Sequence, residues 1–243
     1  MITVRPIASS SAGNATLLEA DGSRLLLDAG LPWARLRAAM RHRVSDLSAA
    51  LITHEHGDHA RAVPDLLKAS VDVYATIGTW KALGIQHHRA HDLQPLTRVE
   101  LPNGWRVVAL PVQHDAQEPC AFLIGGHGAK VLYLTDAPRL AYRVNGLTHV
   151  LLEANWCPDL VAAAVASGRT PAAQAERLRR THLSLPAAVR LLQATDLRRV
   201  ESITLLHLSD GHSDARRFAD TIRAATGCPV TVAPRDTGGH AHA

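Results

Sequence analysis

Three observations predict a layered α/β fold with a functional site along one sheet edge. Apolar runs of strand length alternate with helical segments along most of the chain. Histidines and carboxylates fall just after the ends of strands in both halves. A chain of 243 residues with 47% apolar content can also bury a sizeable core.

Strands are expected over residues 2–8, 15–19 and 24–28, with the Asp21-Gly22 turn closing the last two as a hairpin. Pro32 suits a first helical position, because its φ is already fixed there, and opens a helix over 33–40. The run Ala49-Ala50-Leu51-Ile52-Thr53 reads as a buried strand. A helix over 60–69, a strand over 71–75 and a helix over 77–83 follow. Successive strands at 97–100, 105–112, 120–124 and 131–135 are separated by turns at Asn103-Gly104 and Gly125-Gly126-His127-Gly128. After a strand at 149–153 come helices at 160–166, 171–180 and 186–194. A strand at 202–207, a helix at 214–225 and a strand at 230–233 close the fold. No repeat or low-complexity linker interrupts this order, so residues 1–235 read as a single domain and 236–243 as a frayed tail.

The bulk properties exclude several classes. No run approaches the roughly 18 apolar residues of a membrane span. Met1-Ile2-Thr3-Val4 is too short, and lacks the basic leader, for a signal peptide. Cys120, Cys157 and Cys228 form neither a disulfide framework nor a CxxC site, so small buried side chains in a reducing cytoplasm are expected. The net charge of +4 and pI of about 9.3 are compatible with an anionic substrate such as a phosphodiester.

His54-Glu55-His56-Gly57-Asp58-His59 is the most informative stretch, with four metal-binding side chains in six residues. Ligands sharing a helix face would sit three or four apart, so this spacing predicts a loop wrapping a metal, delivered by the strand before it. With 15 histidines in the chain, composition alone would produce H-x-H-x-D-H with a probability on the order of a few in a thousand.

The spacing of His54, His56, Asp58 and His59 resembles the signature motif of the metallo-β-lactamase superfamily. Asp28, ending Leu25-Leu26-Leu27 before Ala29-Gly30, resembles that family's first motif, a carboxylate bracing the metal loop. His114 resembles the third-motif ligand, Asp136 in Tyr133-Leu134-Thr135-Asp136 the bridging carboxylate, and His207 the last ligand. The resemblance covers nearly the whole chain and implies a metallo-β-lactamase-like αβ/βα four-layer sandwich. A finer likeness is to the YycJ/WalJ-type branch, associated with nuclease or phosphodiesterase activity. It rests on Ser9-Ser10-Ser11-Ala12-Gly13-Asn14, Glu153-Ala154-Asn155, His182-Leu183-Ser184 and His207-Leu208-Ser209. Trp156 replaces an expected His, Thr181 replaces a Gly before His182, and Asp210-Gly211-His212-Ser213 departs from an Asn-rich acidic continuation.

The resemblance implies two divalent cations, zinc or manganese, with iron also accommodated. His54, His56 and His114 would hold one; Asp58, His59 and His207 the other; Asp136 would bridge them. The His-rich group suits zinc, and the oxygen-rich one accepts manganese or iron. Such a pair, about 3.5–4 Å apart, activates water and stabilises both oxygens of a phosphodiester in displacement, and Asp58 and His182 are the candidate catalytic residues. By resemblance to ribonuclease Z-like relatives, His182 would lie outside the ligand set and protonate the leaving oxygen. Its competing reading is a helix-opening histidine bonded to backbone, with Ser184 as the N-cap. Asn14 and Ser11 could offer donors to a phosphate, and His212 could contact substrate or merely open the next helix. Asp115 reads equally as an orienting or a loop acid, and Glu55 should point away from the ions. Arg169, Arg177, Arg179 and Arg180 could flank the cleft or form a solvated face. His87, His88 and His91 read as a solvated connection.

The functional expectation is a dinuclear metal-dependent hydrolase, a phosphodiesterase or nuclease acting on a phosphodiester or nucleic acid and not at a membrane. A lactonase or thioesterase on the same scaffold, or a non-enzymatic regulatory module, are the rivals. Only 71 positions separate Asp136 from His207, too few for the inserted domain of β-CASP nucleases. No Gly/Pro-rich arm like that of ribonuclease Z relatives is evident, which favours DNA ends or small phosphodiesters over long structured RNA.

Overall fold

Short, almost continuously buried apolar strands in the N-terminal part of the chain build the first sheet. In the computed structural model, which describes residues 2–235, β1 (Thr3–Ser10) and β2 (Gly13–Ala20) form an antiparallel hairpin turned at Ser11-Ala12. The tail at 236–243, expected to fray, lies outside the described residues. Next come β3 (Ser23–Leu27), α1 (Trp33–Ala39), β4 (Leu47–Leu51), α2 (Gly57–Ala60), α3 (Val63–Lys68), β5 (Val73–Ala75), α4 (Ile77–Leu83) and β6 (Ala90–Asp92). These strands form a six-stranded sheet in order β1-β2-β3-β4-β5-β6, antiparallel up to β3 and parallel beyond it.

The second sheet uses β7 (Arg98–Glu100), β8 (Arg106–Pro111), β9 (Cys120–Gly126), β10 (Ala129–Leu134) and β11 (His149–Glu153). After α5 (Pro158–Ala166), α6 (Ala172–Thr181) and α7 (Leu185–Gln193), the chain adds β12 (Ser202–Leu206), α8 (Ala215–Thr226) and β13 (Val230–Val232). The order is β13-β12-β11-β10-β9-β8-β7, with parallel pairing from β10 to β13.

Leu18, Leu25, Leu27 and Leu51 of the first sheet meet Phe122, Tyr133, Leu151 and Leu206 of the second. The outer face of the first sheet packs Leu26, Ala50 and Val73 under Leu36, Leu66 and Trp80 of its helices. That of the second packs Val150, Leu152 and Ile203 under Leu192, Phe218 and Ile222. The result is the expected helix–sheet–sheet–helix sandwich. β11 is buried along its whole length, as a central parallel strand covered on both faces should be.

Four local expectations are corrected. The first hairpin is longer than 2–8 and 15–19, so Ser9, Ser10, Gly13 and Asn14 are ladder residues and not loop. The helix expected over 60–69 is two pieces: Pro64 has no N–H to continue the ladder, and the Ala62 amide bonds instead to Ala29 O at 2.8 Å. The metal loop is not loop throughout, because Gly57–Ala60 makes one helical turn carrying Asp58 and His59. Residues 90–92 form an edge strand, with His91 Nε2 2.9 Å from Asp72 Oδ1, where a solvated connection was expected.

The parallel strands β3, β4, β10, β11 and β12 deliver the residues that follow them to one edge, between the two sheets. Asp28, Asp136 and His207 stand just past β3, β10 and β12 with φ of 57°, 50° and 50°. Non-glycine residues rarely adopt this left-handed conformation, and it concentrates where function holds it.

Candidate metal centre

His54, His56 and His114 converge from the β4 and β8 ends. His54 Nε2 is 3.1 Å from His56 Nδ1, which is 3.3 Å from His114 Nε2. Asp58, His59, Asp136 and His207 form an adjoining group. In it, Asp58 Oδ2 lies 3.5 Å from His59 Nε2 and 3.4 Å from His207 Nε2. Asp136 Oδ2 belongs to both surroundings, 2.6 Å from His59 Nε2 and 3.6 Å from His54 Nε2. The structure thus brings all seven expected ligands together, drawn from both sheets.

A buried scaffold holds them. Asp28, fully buried, accepts from the Thr53 amide (2.9 Å) and hydroxyl (3.0 Å) through Oδ1. Its Oδ2 accepts from His59 Nδ1 and the Tyr133 hydroxyl, both at 2.8 Å. Asn14 Nδ2 donates to Ser10 O (3.0 Å) and Asp58 O (3.2 Å), while its Oδ1 accepts from Ser9 Oγ at 2.9 Å. Ser9 Oγ also accepts from the His207 amide at 2.9 Å, so one hairpin braces two members of the second group, Asp58 and His207. Asn14, expected near substrate, is instead a buried strut; Ser11 is exposed and lines the cleft beside His182 and His207. Gly30 is obligatory: a Cβ there would stand 1.7 Å from Asp58 O.

His182 lies against this centre with Nδ1 2.6 Å from Glu153 Oε1 and 3.2 Å from Asp136 Oδ1. Among the described residues its Nε2 has no hydrogen-bond partner. Trp156 Nε1 donates to His182 O at 3.0 Å, giving the Trp that departs from the branch pattern a role in fixing this turn. Thr181 O accepts from His114 Nδ1 at 3.2 Å, tying the same turn to the first group. Ser184 caps α7, as expected, through the Ala187 amide. Glu153 and Tyr133 are the residues that sequence reasoning left without a role. Glu153 Oε2 accepts from the amides of Ala137 (3.2 Å) and Leu183 (3.1 Å). Its position one strand over from Asp136, before Asn155, was the available signal.

The remaining candidates separate. His212 has Nε2 2.8 Å from Thr170 Oγ1 and Nδ1 3.0 Å from Ser209 Oγ, which leaves neither ring nitrogen for substrate. Asp115 Oδ1 is 3.2 Å from His114 Nε2, and its Oδ2 accepts from Arg177 Nη2 at 2.6 Å. Glu55 points away, accepting from the Gln117 amide at 2.7 Å. Arg177 and Arg180 flank the cleft mouth near His114; Arg179 pairs with Glu176 and Arg169 bonds Ser167.

The two groups differ electrostatically. Burial pushes His54 well below its ordinary value, reinforced by the charge of His59, and burial likewise lowers His114. Burial also opposes charge on His59 and His207, but Asp136, with Asp28 at His59 and Asp58 at His207, raises both. Despite burial, His207 and His59 hold Asp58 and Asp136 well below the carboxylate range. Burial would lower His182, yet Glu153 and Asp136 raise it to about 10. This differs from the free, neutral-range imidazole that the general-acid reading supposed, since two carboxylates contact the ring and favour its protonated form.

The donor set fits cations. Four ligands at about 2.0–2.1 Å in a tetrahedron lie about 3.3–3.4 Å apart, close to the spacings among His54, His56 and His114. The far nitrogens of His56, His59 and His114 face Asp115 O, Asp28 Oδ2 and Thr181 O, which only accept. Their protons therefore sit outward and lone pairs face inward, as coordination requires.

A four-layer αβ/βα sandwich with this donor set at one edge defines a metallo-β-lactamase fold suited to divalent metal. Residues 23–207 match the model of the beta-lactamase superfamily domain, and the chain belongs to that family. It is 31% identical over 163 residues to exodeoxyribonuclease WalJ of Streptococcus pneumoniae, covering 61% of each chain. It is 29% identical over 152 residues to exodeoxyribonuclease YycJ of Bacillus anthracis, covering 58% of this chain and 56% of that one. The chain thus matches less than two thirds of the length of these curated relatives. The metallo-beta-lactamase fold protein YhfI from Bacillus subtilis superposes with a TM-score of 0.74 over 96% of both chains at 16% identity, a likeness of fold. Among the described residues, no helix is long and apolar enough to cross a membrane.

Proposed function

We propose that this protein is a metal-dependent phosphodiesterase acting on DNA ends or small phosphodiesters. The observation that carries the reading is the shared carboxylate: Asp136 Oδ2 lies between the triple-His group and the Asp58–His59–His207 group. Two divalent ions, zinc or manganese with iron also accommodated, would be held there. When bound, such a pair lowers the pKa of water and stabilises charge on attacking and leaving oxygens. The names of the WalJ and YycJ relatives support DNA as substrate.

The protein's own contribution is positioning and proton delivery. Asp28 and Thr53 lock the orientation of His59. Glu153 and Asp136 hold His182 protonated at Nδ1, which leaves Nε2 to give its proton to the leaving oxygen. The cation balance of the cleft favours an anionic phosphate. A cytoplasmic setting is supported by three free, buried cysteines.

The test is a panel run with zinc, manganese and iron: bis-p-nitrophenyl phosphate, labelled single- and double-stranded DNA, a lactone and a thioester. Phosphodiester cleavage that chelation abolishes is expected. Rapid lactone or thioester turnover with no phosphodiester cleavage in any metal overturns the reading, and inactivity across the panel favours a regulatory module.

A further inference from the structure

Beyond the metal centre, the second sheet's outer face carries a groove that the proposed chemistry does not use. It lies between the 137–146 crossover and α7, with a volume of 540 Å³. Arg139, Arg143 and Arg190 rim it, all exposed, and no carboxylate lines it. Among the described residues, none of these three guanidinium groups has an ion-pair partner, whereas most exposed arginines of α6 and α8 do. The floor is apolar, formed by Leu140, Leu183 and Leu191, with the half-buried Tyr142 ring beside them.

Two of the groove's lining residues are close in the chain to residues at the metal centre. Pro138 is two residues past Asp136, and Leu183 directly follows His182. Glu153 fastens both walls there, accepting from the amides of Ala137 and Leu183 through Oε2 while Oε1 holds His182. From that point the groove follows α7 toward Arg190, Ala194 and Thr195, away from the centre. An aromatic ring and apolar floor beneath a rim of unpaired cations is the chemistry that stacks bases and tracks a phosphate backbone.

We infer that this groove seats a single-stranded polynucleotide segment adjoining the scissile phosphate, with Arg139, Arg143 and Arg190 on successive phosphates and Tyr142 against a base. The inference rests on the phosphodiesterase reading and adds a substrate site to it. Charge complementarity selects this occupant: a second copy of a chain with net charge +4 would bring like charge toward the rim.

The experiment measures binding of a fluorescein-labelled, phosphorothioate single-stranded oligodeoxynucleotide to the metal-loaded protein by anisotropy across a salt series. Arg139→Ala/Arg143→Ala/Arg190→Ala should weaken binding by about tenfold or more and flatten the log–log salt slope by about two, since single strands give roughly 0.7 per phosphate contact. Tyr142→Leu should weaken binding and leave the slope unchanged. A charge-matched control on the opposite layer, Arg37→Ala/Lys68→Ala/Lys81→Ala, should keep most of the affinity. Equal losses in both triple variants, or no loss at the groove, overturn the inference. So does a wild-type dimer that the groove variant dissolves in light scattering. Wild-type turnover of bis-p-nitrophenyl phosphate is read separately. Its absence, together with no cleavage of the DNA substrates, defeats the phosphodiesterase reading, while the groove still stands or falls on binding.

Discussion

Replacing Gly30 by alanine should disable one half of the metal centre without touching a ligand. Gly30 follows the brace residue Asp28, and its neighbour Ala29 donates to His59 O at 2.7 Å. An added Cβ would stand 1.7 Å from Asp58 O, 2.1 Å from Asp58 C and 2.8 Å from His59 N. Ordinary contact begins at 3.4 Å, so the Asp58 carbonyl must retreat by about 1.7 Å. Metal–ligand distances tolerate only about 0.2 Å. Gly30 does not have a positive φ, so the effect is steric and not conformational. Overpacking should cost about 1–3 kcal/mol of stability, and affinity at the Asp58–His59–His207 group should fall far more than at the triple-His group. Gly57→Ala in the same loop is the control, because nothing lies within 4 Å of its Cβ and the residue is helical. Metal titration calorimetry against a competing chelator, with urea denaturation of the metal-free proteins, reads both effects. If Gly30→Ala loads metal with wild-type stoichiometry and affinity, or behaves as Gly57→Ala does, the packing argument is wrong.

Four further outcomes are expected. His182→Ala should retain the wild-type metal content by elemental analysis while phosphodiester turnover falls by about a hundredfold or more; metal loss in that variant would make the histidine a ligand. Glu153→Gln removes the nearest charge raising His182, so the alkaline limb of the pH–rate profile should move to lower pH. Tyr133→Phe deletes a buried hydrogen bond to a carboxylate and should cost about 1.5–3 kcal/mol in urea denaturation, leaving the inner sheet packing intact. Burial lowers His149, with Glu201 opposing, so the folded state takes up its proton less readily than the unfolded chain. Its contribution to stability is complete above the ordinary 6.5 and is lost as pH falls below that value; His149→Gln should therefore flatten the drop in urea midpoint between about pH 7.5 and about pH 5.5.

The layered fold and the His54–His59 cluster were legible because both obey short-range rules, whereas His114, Asp136 and His207 were placed beside it only by the family resemblance. Apolar runs of four to eight residues bounded by turn residues announce strands by their length, and histidines two apart beside an Asp-His pair have few uses other than wrapping a cation. What escaped depends on distant partners. Residues 90–92 form a strand only because β5 offers an open edge to pair with. The break between α2 and α3 was partly readable in Pro64, but the acceptor at Ala29 O that captures the Ala62 amide was not. His212 looks like a substrate contact until Thr170 and Ser209 are seen to saturate its ring. Glu153 illustrates the same limit most fully, since its function is defined by a helix-opening turn about thirty residues further on.

The site draws His54, His56, Asp58 and His59 from the first sheet and His114, Asp136 and His207 from the second. A cation held there is therefore a rivet across the joint between the two halves of the sandwich. Binding that favours the folded state adds about 2.7 kcal/mol at a hundredfold excess over Kd, and here that increment would resist the sheets parting at their ligand-bearing rim. Amides beside Asp28, Thr53 and His207 should consequently gain hydrogen-exchange protection on metal loading, while those at the far rim near His149 stay as they were.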